Sequence, residues 1–300
     1  MAHVNDAERR VWGRLPEGTR DSLAALPASD LQTLLLSVAR MRATRVRPAD
    51  LLRRWREDRF VRPAPSDPRA LAALEARMWR LLPADFAGVE LSPVAPLGTC
   101  SAVTPQSQDR IVSTVRGAEV VSDSTNALAI EAADRRLRQP ADGEVHLAAC
   151  HRMLRAQRFP EGFGSHFRLF TLVSSARDTG SGATQARLLV RHLTYWRSVL
   201  PAETAPRLMY TVFDSPVLRE RITDTVTPAV AITEQPDREH GRGYYVDAAI
   251  RIAAGGGEIG DGGFTTWTAQ LMGNAKERCL VSCVATERLA TALRDGSQTI

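Results

Sequence analysis

The chain has 300 residues, 44% of them hydrophobic and 24% charged, which excludes a disordered chain or a fibre and suffices for one large core or a core with an appendage. Lys and Arg total 39 against 34 acids, a net charge of +5. Lys276 is the one lysine; it sits in no phosphate-binding Gly-Lys-Ser/Thr sequence, and Schiff-base chemistry would depend on it alone.

Residues 1–62 hold 13 arginines and 8 acids, so the whole excess lies there and 63–300 balance at 26 and 26. The start, Met1 to Asp6, lacks the basic-then-apolar order of a signal peptide, and no apolar run reaches the roughly 18 residues of a membrane helix. A cytoplasmic protein without membrane contact is expected. Ser29 and Asp30 can cap a helix through Leu31, Leu34, Leu35, Val38 and Met41, and Pro48 opens another over 48–60. The Pro-rich stretch 62–68 reads as a linker. Two units follow: a basic helical region, 1–62, and a body, 63–300. The basic region suggests an anionic partner such as nucleic acid, or a solvated Arg-rich helix face.

In the body, Ser66 caps a helix over 68–82 with Leu71, Leu74, Met78 and Leu81 on one face. Short extended segments are read at 88–91, 111–115 and 119–121, then a helix from Asp123 to about Leu137. Strands are predicted over 144–150, 166–174, 208–214, 229–233, 244–252 and 278–283, and helices over 183–200, 265–272 and 286–293. The stretch 258–263 reads as a glycine-rich return. This order predicts an α+β fold, a largely antiparallel sheet flanked by helices. It lacks the strict alternation and the glycine fingerprint of a dinucleotide-binding fold. Cys100, Cys150, Cys279 and Cys283 show no zinc spacing and read as reduced, mostly buried thiols.

Three segments could carry chemistry. In the first, a strand ends in His151-Arg152 and Arg155, a loop runs through Phe159 to Gly164, and a strand returns with Arg168 and Phe170. Guanidinium groups on such a hairpin suit a polyphosphate, or form surface salt bridges. The second is Arg242-Gly243-Tyr244-Tyr245 followed by 255–263, where Glu258 and Asp261 could hold Mg²⁺ and glycines let backbone approach a ligand. The third is Thr286-Glu287-Arg288-Leu289, which opens the last helix. A fourth polar stretch, 116–126, reads as a loop and helix cap, or as a pocket lining.

In this order the segments resemble the catalytic domain of class II aminoacyl-tRNA synthetases, specifically the histidyl-tRNA synthetase branch. His151-Arg152 through Phe170 resembles motif 2, Tyr244-Tyr245 the family's Tyr-Tyr strand, and Glu287-Arg288-Leu289 the end of motif 3. Gly260 to Phe264 is similar to the glycine-rich turn after the Tyr pair, Pro96-Leu97-Gly98-Thr99 to the family's Pro-Glu-Gly-Thr, and 68–82 to the dimer-forming motif 1. The resemblance implies ATP held by Arg152, Arg155, Arg168, Phe170 and Arg288, with Arg152 and Arg288 catalytic. It implies Mg²⁺ on Glu258 or Asp261, and an amino acid or other small carboxylate at Thr99, Arg242, Tyr244, Tyr245 and Gly262. The reaction would be adenylate formation, the acceptor a carrier protein, a small amine or an RNA, and the assembly a homodimer through Leu71, Leu74, Met78 and Trp79. The sequence departs from the pattern at Leu97 and Leu154, where acids are usual, at Ala285, where glycine is usual, and at His240, where arginine is usual. With the sequence ending at Ile300, a stand-alone domain without an anticodon-binding domain is expected. The alternative is a non-catalytic paralogue acting as a regulatory or ligand-binding subunit.

Overall fold

A computed structural model of the chain describes residues 6–104, 106–160, 164–238 and 241–297. Four helices come first: α1 (Asp6–Trp12), α2 (Thr19–Ala24), α3 (Ala28–Ala43) and α4 (Pro48–Glu57). None of them buries a residue. The helix predicted from Ser29 starts one residue earlier, after Pro27, and no side chain caps it. Pro48 sits in the first turn of α4, where its missing N–H costs nothing.

The body is built on one eight-stranded sheet. Its strands are β1 (Ala87–Gly88), β4 (Glu144–Leu154), β5 (His166–Arg177), β6 (Arg207–Val212), β7 (Thr233–Glu234), β8 (Val246–Ala254), β9 (Gly257–Thr265) and β10 (Glu277–Ala285). The order is β1-β4-β5-β10-β9-β8-β6-β7. Only the short edge strands pair in parallel, so the predicted α+β architecture with a mostly antiparallel sheet is the observed one. A small ribbon of β2 (Val94–Pro96) and β3 (Ala118–Val120) stands beside it. The glycine-rich stretch expected to be a return is instead the central strand β9. The predicted strand 229–233 shrinks to β7: Ala229 ends α10 (Thr227–Ala229), which follows α9 (Pro216–Arg221) and a π-helical turn over Ile222–Val226, and residues 230–232 are irregular before Thr233.

Side chains alternate across the sheet, so each face has its own core. The upper face carries Phe170, Leu172, Ile250, Ile252, Phe264, Leu280 and Val284, and packs on α5 (Pro68–Leu81), α8 (Ala183–Val199) and α12 (Thr286–Ser297). Asp67, rather than Ser66, caps α5 by accepting the Arg69 N–H. Leu71, Leu74 and Met78 are buried inside the chain, so the surface expected to form a dimer is spent on the chain's own core. The lower face carries Leu147, Val173, Cys279 and Val281 against α7 (Ser124–Leu137) and α11 (Trp267–Met272), with α6 (Thr99–Val103) beside α7.

Two chains of hydrogen bonds pair buried polar groups on either side of the sheet. Arg136 and Glu277, nearly inaccessible, meet at 2.8 Å, and Ser175 reaches the same carboxylate. Above the sheet a line of 2.8 Å hydrogen bonds runs from His146 to Ser174, His192 and Ser282, where the Trp196 indole N–H also donates. Among the described residues, no helix is long and apolar enough to cross a membrane.

Candidate ligand-binding site

Cross-strand partners share a face, and β4–β5 pairs Cys150 with Phe170 and Arg152 with Arg168. All four therefore belong to the upper, helix-covered face. Phe170 is fully buried, its ring 4.7 Å from Trp79, 5.8 Å from Tyr195 and 6.3 Å from Trp196. It is a core residue with no surface left for a ligand. Arg152 donates to Glu287 at 3.2 Å and to His166 Nδ1 at 3.0 Å. Arg168 donates to Glu75 at 2.5 Å, and its backbone N–H reaches Glu287 at 2.9 Å. These arginines tie the first turn of α12 and the middle of α5 to the sheet.

Three residues further on, the register changes face, because the side-chain period is two. Arg155 lies just past β4, and its Nε donates to the Ser122 carbonyl at 2.8 Å. Its Nη2 bonds Asp123 at 3.2 Å, and the guanidinium carbon lies 5.2 Å from the Phe167 ring centroid. Asp123 also caps α7 through the Thr125 N–H. Phe167, Leu169, Cys283, Ala285 and Asp261 follow on this lower face, at positions fixed by the pairings of Leu169 with Ala285 and Cys283 with Asp261. A cavity of about 730 Å³ opens over them and round the end of the sheet to α12. Arg155, Phe167, Leu169, Asp261, Cys283 and Arg288 are in its wall. Arg288, exposed, donates to the Glu258 carbonyl at 3.1 Å. Of the residues expected to hold ATP, Arg155 and Arg288 thus meet in one cavity, whereas Arg152, Arg168 and Phe170 lie outside its described lining.

Burial raises the Asp261 pKa, and the nearby Glu258 carboxylate pushes the same way. Arg238, 4.0 Å away, opposes the shift. The Glu258 carboxylate is bound by Arg251 at 2.7 Å. A divalent cation needs oxygens that it can claim, and Arg251 and Arg238 already engage these two carboxylates, so this pair does not suit Mg²⁺ as it stands. Among the described residues no group of three acidic, His or Cys side chains could hold a metal ion. Burial also drives the Cys283 thiol well up, which keeps it neutral and a poor nucleophile.

The expected substrate residues divide. Tyr244 and Tyr245 are packed on this same face, 4.9 Å apart edge-to-face, and Tyr244 meets Trp267 at 5.7 Å. Burial raises both phenols far above their usual range, with Asp123 and Asp261 adding to the shift. A Cβ on Gly263 would meet the Tyr245 ring at 2.6 Å, so this glycine serves the tyrosine rather than a ligand. Gly262 pairs with Ser282 on the upper face, where a Cβ would strike the Val281 carbonyl at 2.4 Å. Arg242 sits apart, donating to Asp214 at 2.8 Å and lying 5.1 Å from the Phe213 ring centroid. Thr99 is buried and donates to the Pro96 carbonyl at 2.7 Å. The backbone N–H groups of Gly98 and Cys100 are claimed by the buried Glu119 carboxylate at 2.8 and 3.0 Å. Leu97 is exposed. His240, and Glu161, Gly162 and Phe163 of the hairpin loop, lie outside the described residues.

Motif order favoured Arg152 over Arg155 and Phe170 over Phe167. Counting alternation along β5 would have placed Phe167 with Leu169 on the cavity face; Asp123, the cap of α7, carries no strand signal.

No protein-family model matches the sequence, and no curated protein matches it significantly. Solved structures do match. Apo histidyl-tRNA synthetase from S. aureus aligns over 79% of this chain and 69% of its own, with 14% identity and a TM-score of 0.61. An ATP phosphoribosyltransferase regulatory subunit/histidyl-tRNA synthetase from Bacillus halodurans aligns over 77% and 82%, with 10% identity and a TM-score of 0.59. A histidine–tRNA ligase subunit from Alicyclobacillus acidocaldarius aligns over 79% and 96%, with 12% identity and a TM-score of 0.54. The chain therefore has the fold of histidyl-tRNA synthetase and related class II synthetase-like proteins. At such identities the likeness fixes fold and leaves function to the site.

Proposed function

We propose that the chain binds an adenine nucleotide and a small carboxylate in the lower-face cavity, and acts as a ligand-binding or regulatory subunit rather than as a ligase. The observation that carries this is the meeting of Arg155, Phe167 and Arg288 in one cavity. A guanidinium can fork onto phosphate oxygens, and an aromatic ring offers a face on which a base can stack. The Tyr244–Tyr245 pair, packed on the same sheet face, is the proposed place for the carboxylate. In fold, the regulatory subunit/synthetase from Bacillus halodurans is among the similar proteins.

Adenylate formation would have a carboxylate oxygen attack the α-phosphorus while pyrophosphate leaves, with cations stabilising the charge that develops. The carboxylates that would bring a metal ion to that charge are committed: Glu258 is held by Arg251, and Asp261 is buried beside Arg238. Leu97 stands where an acid would hold an α-amino group. These features favour binding without turnover.

The second reading is an amino-acid-activating ligase whose acceptor is an RNA or a carrier protein. It draws support from Arg288, which keeps its place at the start of α12 on the cavity wall. In either case 1–62 is a basic helical unit attached to the 63–300 body, and α3 and α4 offer a surface to anions.

Calorimetric titration with ATP, with and without Mg²⁺, joined to pyrophosphate exchange across an amino-acid panel, separates the readings. ATP binding without exchange supports the proposal. Exchange with any amino acid transfers the function to the ligase reading, and the absence of ATP binding overturns both.

A further inference from the structure

The end of the basic region and the linker that follows it make contacts that the nucleotide reading does not use. Arg59 reaches across to the β4–β5 hairpin, nearly 100 positions along the chain. Its Nη1 donates to the Gln157 carbonyl at 2.6 Å and to Ser165 Oγ at 3.1 Å, and its Nη2 donates to the Ala156 carbonyl. The acceptors belong to both arms of the hairpin, so a single guanidinium staples them together. Phe60 lies beneath it, ring centroid 4.2 Å away, and the Phe60 N–H bonds Asp58 at 2.9 Å, which sets the turn.

Three residues on, the Arg62 carbonyl accepts from His166 Nε2 at 2.6 Å. The other ring nitrogen, Nδ1, accepts from Arg152, so the neutral tautomer carries its proton on Nε2 and donates it to the linker. The linker then runs along the cavity, where Ala64, Pro65, Ser66 and Asp67 form part of the wall.

Arg155 is the residue before Ala156, and its own N–H pairs with the Ser165 carbonyl at 2.8 Å. The Arg59 staple thus closes on the residues that flank Arg155 along the chain and across the hairpin. Its partners are neutral oxygens spread over a fan that a planar guanidinium spans and an ammonium does not.

We infer that Arg59 is a positioning residue for the cavity: by docking the linker onto the hairpin, it holds Arg155 where an anionic ligand can be received. This rests on the nucleotide-binding reading. Linkage makes the coupling reciprocal, so whatever Arg59 docking adds to nucleotide affinity, the nucleotide adds to docking.

The test uses the full chain, ATP as probe, and four proteins: wild type, Arg59→Ala, Arg59→Lys and the surface control Arg138→Ala, whose exposed side chain pairs with Asp134 away from the cavity wall. Arg59→Ala should weaken ATP binding about tenfold while its urea midpoint stays at the wild-type value. Arg59→Lys should recover little of that loss, and Arg138→Ala should match wild type. ATP should slow tryptic cleavage after Arg59 in the wild type. Unchanged affinity in Arg59→Ala, with or without a lower urea midpoint, marks a merely structural contact and overturns the coupling alone. Cleavage indifferent to saturating ATP overturns it equally. A wild-type chain that binds no ATP overturns the nucleotide reading and the coupling with it.

Discussion

Phe167 and Phe170 stand three residues apart on one strand, and the structure gives them opposite duties. Phe170→Ala removes a fully buried ring from between α5 and α8. Truncating a buried aromatic costs about 3–5 kcal/mol, through lost transfer free energy and the cavity left behind. The edge contact with Trp79 and the stacked contact with Tyr195 each add about 0.5–1.5 kcal/mol beyond area, which places the loss near the top of that range. A whole domain is stable by only about 5–15 kcal/mol, so Phe170→Leu, which keeps most of the packing, is the companion variant with a smaller loss. Phe167 is only partly buried, at the edge of a four-residue cluster, and Phe167→Ala should cost about 1–2 kcal/mol. Urea unfolding followed by tryptophan fluorescence, with equal slopes required before midpoints are compared, reads both. ATP titration of the folded proteins should show the reverse order, with the loss in Phe167→Ala and wild-type affinity in Phe170→Leu. A Phe170→Ala protein as stable as wild type, or a Phe170→Leu protein that fails to bind ATP at full stability, would refute the face assignment.

Arg155→Ala should weaken ATP binding about ten- to a hundredfold, the equivalent of a charge-assisted contact of about 1.5–3 kcal/mol, while Arg152→Ala leaves affinity unchanged in the same calorimeter. Arg136→Met strands the Glu277 carboxylate in the core and should lower unfolding free energy by about 3–5 kcal/mol in urea, with Arg136→Met/Glu277→Leu recovering part of it. Burial holds the pKa of His192 well below, and that of His146 below, the ordinary histidine value, so the unfolded chain binds more protons below about pH 6.5. Stability from this source is therefore complete above pH 6.5 and falls on acidification, by up to about 1.4 kcal/mol per pH unit for each histidine. Urea midpoints between pH 7 and 5 should show that slope, and a His192→Asn slope equal to wild type would contradict it.

Much of the fold was legible because its signals are periodic. The helices α5, α7, α8 and α12 and the strands β4, β5 and β10 follow apolar spacing that local physics enforces. Strand β9 was hidden because glycine is a turn signal in sequence. Its glycines answer tertiary demands instead: a Cβ on Gly260 would lie 2.0 Å from the Cys283 carbonyl, and one on Gly263 would strike Tyr245. The site was half legible. Arg155, Arg288 and Asp261 were named from the sequence and line one cavity, and the Tyr pair packs on the same sheet face as Asp261. Arg152, Arg168 and Phe170 were named with them because motif order outweighed the two-residue alternation that separates the faces. The burial of α5 was also beyond the pattern, since an apolar stripe does not say whether its partner is another chain or α8 and α12 of the same one.

The account turns on which face of the sheet receives a nucleotide. A crystal structure of the protein grown with a non-hydrolysable ATP analogue tests that directly. The base should lie against Phe167 with phosphates on Arg155 and Arg288. Phosphate density at Arg152 and Arg168, above the sheet, would contradict the account.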